Sequence, residues 1–164
     1  METPETLRDT FISLVRLSAE DGDVDPLPVV CTTGGKTNVE AVFGVGSQTG
    51  TDLMLSRVRR AMSAPDVTQI AFGIDRSTRP NQGTTKGNVF TYAVLTRGRV
   101  PVYGIIEYDA GEVAEPREGP EVGFWFRMMS FEVPTRLHGL AEFCGVELPP
   151  APGSLAEVLG EVES

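Results

Sequence analysis

The sequence predicts an α+β fold: an antiparallel β-sheet of about five to six strands, helices packed mainly on one face, and a C-terminal amphipathic helix on a Pro-rich tether. Three observations lead there. Segments alternating with period two are joined by short Gly-bearing turns, apolar stripes of helical spacing precede and follow the first pair of them, and no strand–helix–strand series recurs. Hairpins make antiparallel pairs, whereas a parallel sheet needs a crossover between every two strands. The chain has 164 residues, 40% of them apolar, enough for one domain whose core needs neither disulfide nor structural metal. That domain is expected over 1–148, with 149–164 as Pro-rich linker and last helix.

The first helix opens with Thr3 as N-cap and Pro4 at its first position, and Glu5 suits the positive end of the helix dipole. Leu7, Phe11, Leu14, Val15 and Ser18 form one stripe, and Asp21-Gly22 ends it. Residues 27–32 and 38–45 read as two strands joined by a Gly34-Gly35 turn. A second helix, capped by Thr49 or Thr51, runs to about Ser63 with Leu55, Val58, Ala61 and Met62 inward, and Pro65 stops it. Residues 67–75 form the next strand, with Ile70, Phe72 and Ile74 on one face and the smaller Ala71 and Gly73 on the other.

Residues 89–96 and 100–108 form a hairpin around Arg97-Gly98. Residues 110–120 read as a solvated acidic loop, and 122–133 as a further strand. Pro134 is expected to start a third helix with Leu137, Leu140, Ala141 and Cys144 inward and Gly145 as its C-cap. After the stiff 148–153 linker, Ser154 and Glu157 make a capping box for a last helix striped by Leu155, Val158, Leu159 and Val162.

Charge is distributed unevenly. Residues 53–106 hold eight basic and two acidic residues, while the remainder holds six basic and 21 acidic, for a net charge of −9. The overall balance argues against nucleic acid; the local excess suits an anion or an acidic partner. Apolar runs far shorter than about 20 residues exclude a membrane helix among them, and the acidic start METPETLRDT resembles no targeting peptide. A cytoplasmic location is the expectation. Cys31 and Cys144 lie far apart outside any CxxC pattern, and with His138 as the single histidine no zinc site and no cofactor is expected.

Three catalytic patterns suggest themselves, each with a plainer explanation. Residues 30–37 (VCTTGGKT) end like a phosphate-binding loop, but Val30 stands where that motif needs its first glycine, and a strand comes next where a helix is required. Asp75, Glu107 and Asp109 at strand ends suggest a magnesium site, yet no lysine accompanies them. His138 and Cys144, six apart on one expected helix, point to different faces.

The stretch best suited to a ligand is the polar loop 76–88. Arg76, Arg79 and Lys86 supply charge, Gln82, Thr84 and Thr85 supply neutral donors, and Asp75 stands at its root. The expected function is a non-enzymatic cytoplasmic binding or adaptor protein, of bacterial or phage type, engaging an anionic small molecule or a protein partner's acidic surface through that loop. One alternative is a small enzyme acting on a phosphorylated or nucleotide-like substrate at Asp75. The other is an oligomeric scaffold, paired through the C-terminal helix into a homo-oligomer.

Overall fold

In the computed structural model the described residues are 4–20, 27–33, 36–42, 48–77, 88–109 and 112–148, with side chains described over 7–17, 52–73, 88–109 and 112–148. Helix α1 spans Pro4–Glu20, and the hairpin β1 (Leu27–Thr33) and β2 (Lys36–Val42) comes next. Helix α2 (Gln48–Ser63) leads to β3 (Val67–Ser77), β4 (Asn88–Thr96) and β5 (Val102–Asp109). Two short strands, β6 (Glu112–Val113) and β7 (Arg117–Glu118), precede a 3₁₀ turn, α3 (Phe124–Arg136) and α4 (Leu140–Cys144).

The sheet runs in the order β2-β1-β3-β4-β5-β6, with β7 also on β5 and every pairing antiparallel. Helix α2 carries the chain back past β1, so β3 joins the β1 edge rather than the β2 edge. Residues 149–164, and with them the tether and last helix, lie outside the described residues.

Both faces of the sheet are covered. Directly paired residues share a face, so Gly73, Tyr92 and Gly104 lie on one face, and Phe72, Ala93 and Tyr103 on the other. On the first face Phe11 of α1 meets Phe90 and Tyr92, with ring centroids 6.1 and 6.0 Å away. On the second, Leu55 of α2 and Met129 and Val133 of α3 enclose a cavity with Phe72 and Thr91, while Val89 and Ile105 pack with Trp125 and Met128. The helices after β2 share one face and α1 takes the other, which refines the expectation of helices mainly on one face. The reason is legible in β4: VFTYAVL is apolar at positions of both parities, and it is buried without interruption from Val89 to Leu95.

Two elements differ from the expectation. Residues 122–133 are not a strand, because Phe124–Arg136 is helical. Its buried residues Trp125, Met128, Met129 and Val133 recur at helical spacing, a period masked by the aromatic residues between them. Pro134 therefore does not start a helix but sits in the last turn of α3, with only two helical residues beyond it. The next helix is only Leu140–Cys144, with Leu137, Leu140, Phe143 and Cys144 buried and Ala141 exposed. Gly145 caps it at φ 69°, as the sequence indicates.

Candidate functional site

Among the described residues an open cleft of about 320 Å³ lies between the C-terminal end of α2 and the turn joining α3 to α4. Arg59 and Ser63 come from α2, Arg97 from the β4–β5 turn, and His138, Glu142 and Phe143 from the α3–α4 turn and α4. Segments distant in sequence are thus brought to one end of the sheet.

Arg97 organises this end. Helix α2 terminates before Pro65, leaving carbonyls without helical partners. The Arg97 guanidinium donates to the carbonyls of Ala64 at 3.1 Å, Met62 at 3.4 Å and Val67 at 2.6 Å, so it neutralises the negative helix end and fixes the start of β3. Its other surface lies 4.3 Å from the centre of the Phe143 ring, a cation–π contact. The neighbouring Gly98 amide, in a turn residue at φ 86°, donates to the Cys144 carbonyl at 2.6 Å and ties α4 to the same turn.

Arg59 reaches across the cleft and donates to the Arg136 carbonyl at 3.4 Å, and Arg136 in turn pairs with Asp52 at 3.8 Å. His138 is exposed at the rim. The Ser63 hydroxyl donates to the Arg59 carbonyl at 3.1 Å, an intrahelical bond rather than the contact with a base that an activated nucleophile requires. Three cationic or ionisable nitrogen groups thus face one carboxylate, Glu142, beside the apolar Phe143. The chemistry on offer is recognition of negative charge with a planar apolar wall.

A second polar cluster lies on the α1 face. The Glu118 carboxylate oxygen Oε2 accepts from Arg8 Nε at 2.6 Å and from the Tyr92 hydroxyl at 2.5 Å. Burial first, and then the bond to Glu118, push the Tyr92 phenol far above its usual range. Tyr103 on the opposite face is also raised, chiefly by burial. Glu107 is buried and pairs with Arg117 at 3.1 Å. Of the stretch expected as a solvated loop, Arg117 and Glu118 thus enter partly buried ion pairs; the adjacent opposite charges in PREGPE were the signal available for them.

Of the ligand-binding residues expected from the sequence, only Asp75 and Arg76 fall among the described residues. Asp75 and Arg76 lie within β3, paired in register with Phe90 and Val89, so the ladder continues through Ser77 and Asn88 beyond the expected strand end. Arg79, Gln82, Thr84, Thr85 and Lys86 lie outside the described residues. Asp75 and Glu107 occupy opposite faces by register, since Asp75 aligns with Phe90 and Ile106 while Glu107 aligns with Val89. By register, then, Asp75 does not share a strand face with Glu107, and among the described residues no group of three metal-ligating side chains occurs. Cys144 is a buried free thiol, its pKa raised by burial, whereas His138 is exposed. Of the eight basic residues in the positive segment, Arg59 and Arg97 meet in one cleft. No helix among the described residues is long and apolar enough to cross a membrane.

Comparison with protein-family models, with curated proteins and with solved structures finds no match.

Proposed function

We propose that this chain is a non-enzymatic binding protein that takes a carboxylate- or phosphate-bearing group of a partner in the cleft between α2 and the α3–α4 turn. The observation that carries the reading is the convergence of Arg59, Arg97 and His138 around one open cleft of about 320 Å³. Arg97 holds the walls together and lends positive potential, while Arg59 and His138 are placed to donate hydrogen bonds to the ligand. The intrahelical bond of the Ser63 hydroxyl and the burial of the Cys144 thiol favour binding over nucleophilic chemistry.

The polar loop, with Arg79, Gln82, Thr84, Thr85 and Lys86, is a second proposed anion contact, separate from the first. Arg97 meets the Val67 end of β3, whereas the loop leaves from Ser77. Eleven residues of strand at about 3.3 Å each put roughly 33 Å between those ends. An extended acidic partner that spans β3 is the ligand this reading favours.

The test is NMR titration of the labelled chain, at low ionic strength, with inorganic phosphate, citrate and an oligoglutamate peptide. Saturable shifts at 59–63 and 137–143 that vanish in the Arg59→Ala/His138→Ala variant are expected. Absence of saturation with all three probes, or equal binding by the variant, overturns the cleft's role.

A further inference from the structure

The opposite charges of the cleft between α2 and the α3–α4 turn share one space without pairing. Arg59, Arg97 and His138 line it together with the carboxylate of Glu142. Arg97 is engaged with the carbonyls at the end of α2, and Arg59 gives one bond to the Arg136 carbonyl. Glu142 and His138, both exposed, form no hydrogen bond or ion pair with any described residue. A Cβ added to Gly139 would stand 4.0 Å from Glu142 Oε2, which sets the carboxylate on the α4 side, over the turn. Arg59 stands on the α2 side.

A lone carboxylate in such a place selects. It repels a group that carries only negative charge and attracts one that carries an ammonium as well. It therefore discriminates between ligands that the cations alone would accept together. We propose that the group the cleft accepts is the free amino terminus of an acidic peptide, its ammonium on Glu142 and the neighbouring carboxylate on Arg59 and His138. This rests on the anion-binding reading above and names which part of the partner enters.

A terminus fits better than an internal lysine. An α-ammonium lies only a few bonds from the first acidic side chain, so both charges are placed with little loss of freedom. A lysine ammonium rides instead on a long flexible stem. The cleft's volume of about 320 Å³ is at the small end of the roughly 300–1,000 Å³ of ligand pockets, which suits one terminal residue. Met62 and Phe143 give the methylenes of that residue an apolar wall, and the open side lets the following chain leave. Capture of an amino terminus is a recurring mode of peptide recognition.

The experiment titrates the full chain with oligoglutamate carrying a free amino terminus and with its N-acetylated counterpart, at low ionic strength and about pH 6.5, where an α-amino group is an ammonium. NMR shifts at 59–63 and 137–143 are the readout. The free peptide is expected to bind about tenfold or more tighter. Glu142→Gln is expected to erase that preference and to tighten binding of the acetylated peptide. Glu147→Gln, which removes the same charge from an exposed residue outside the cleft, is expected to keep the preference. Equal binding of the two peptides by the unaltered chain overturns this proposal and leaves the anion reading standing. Absence of saturation with both overturns the two together. A preference that survives Glu142→Gln, or that Glu147→Gln abolishes as well, overturns the assignment to Glu142.

Discussion

Tyr92 reaches Glu118 by lying across Gly104. Tyr92 on β4 and Glu118 on β7 both pair with Gly104 on β5, and the phenol crosses the bare Cα between them to place its hydroxyl 2.5 Å from the carboxylate. A Cβ added to Gly104 would stand 2.5 Å from the ring and 2.8 Å from Glu118 Cγ. The glycine is thus required by its neighbours' size rather than by its own backbone.

Gly104→Ala is expected to cost about 1–3 kcal/mol, since neither the buried ring nor the adjoining strand can withdraw freely. Tyr92→Phe keeps the ring and deletes one bond to a partly exposed carboxylate, costing about 1–2 kcal/mol. In the double variant the combined loss should be less than the sum of the two, because removing the hydroxyl relieves part of the crowding. Urea unfolding of the four proteins measures all three quantities; strict additivity would contradict the overlap.

Stability should fall in alkali for a reason these tyrosines supply. Free tyrosine titrates near pH 10, and both Tyr92 and Tyr103 are raised above that in the folded chain. The unfolded chain then loses protons before the folded one does. Their contribution is therefore fully present below about pH 10 and declines as pH rises beyond it. Tyr92→Phe should flatten the alkaline limb of melting temperature against pH, and tyrosinate absorbance should emerge with unfolding instead of ahead of it.

Arg97→Ala should cost about 2–3 kcal/mol, because it leaves the carbonyls at the end of α2 unsatisfied and uncovers Phe143. Lysine should restore only a fraction, lacking the planar fork that addresses several acceptors together. Amide exchange at 61–64 would report the loosened helix end; a fully stable lysine variant would show that charge alone suffices.

The two proposed anion contacts separate by mutation. Arg59→Ala/His138→Ala should weaken binding of phosphate and citrate, whereas Arg79→Ala/Lys86→Ala should leave those unchanged and weaken oligoglutamate about ten- to a hundredfold. Loss of phosphate or citrate binding through both pairs to the same degree would contradict their separation along β3.

Thermal melts should be indifferent to chelator and to reductant. Cys144 is a buried free thiol and the described residues hold no metal-ligating group of three.

The sequence made the sheet readable through its hairpins: the Arg97-Gly98 turn, the apolar runs of β4 and β5, and the helix stop at Pro65 all lie where their chemistry placed them. It concealed α3, because FWFRMMSF is rich in residues that suit a strand and its helical period shows only once Trp125, Met128, Met129 and Val133 are known to be buried. The cleft was harder still. Arg59, Arg97 and His138 are separated by 38 and 41 positions, and nothing local tells that Arg97 closes the end of a helix rather than flanking a turn. Glu118 reads in the sequence as one acid among many because its partners, Arg8 and Tyr92, come from α1 and β4.

The β1–β3 ladder is a seam between two units made at different times. On one side is the β1–β2 hairpin, complete by residue 42; on the other is the β3–β4–β5 meander, which begins at Val67. During synthesis from the N-terminus, the second edge of β1 waits for some 25 further residues before its partner exists. Until then it is an open template, and α2 is the connection that decides which copy of β3 fills it. A chain whose α2 connection was shortened and strained would be the one to exchange these hairpins with a neighbour, giving an intertwined dimer with every native strand pairing retained.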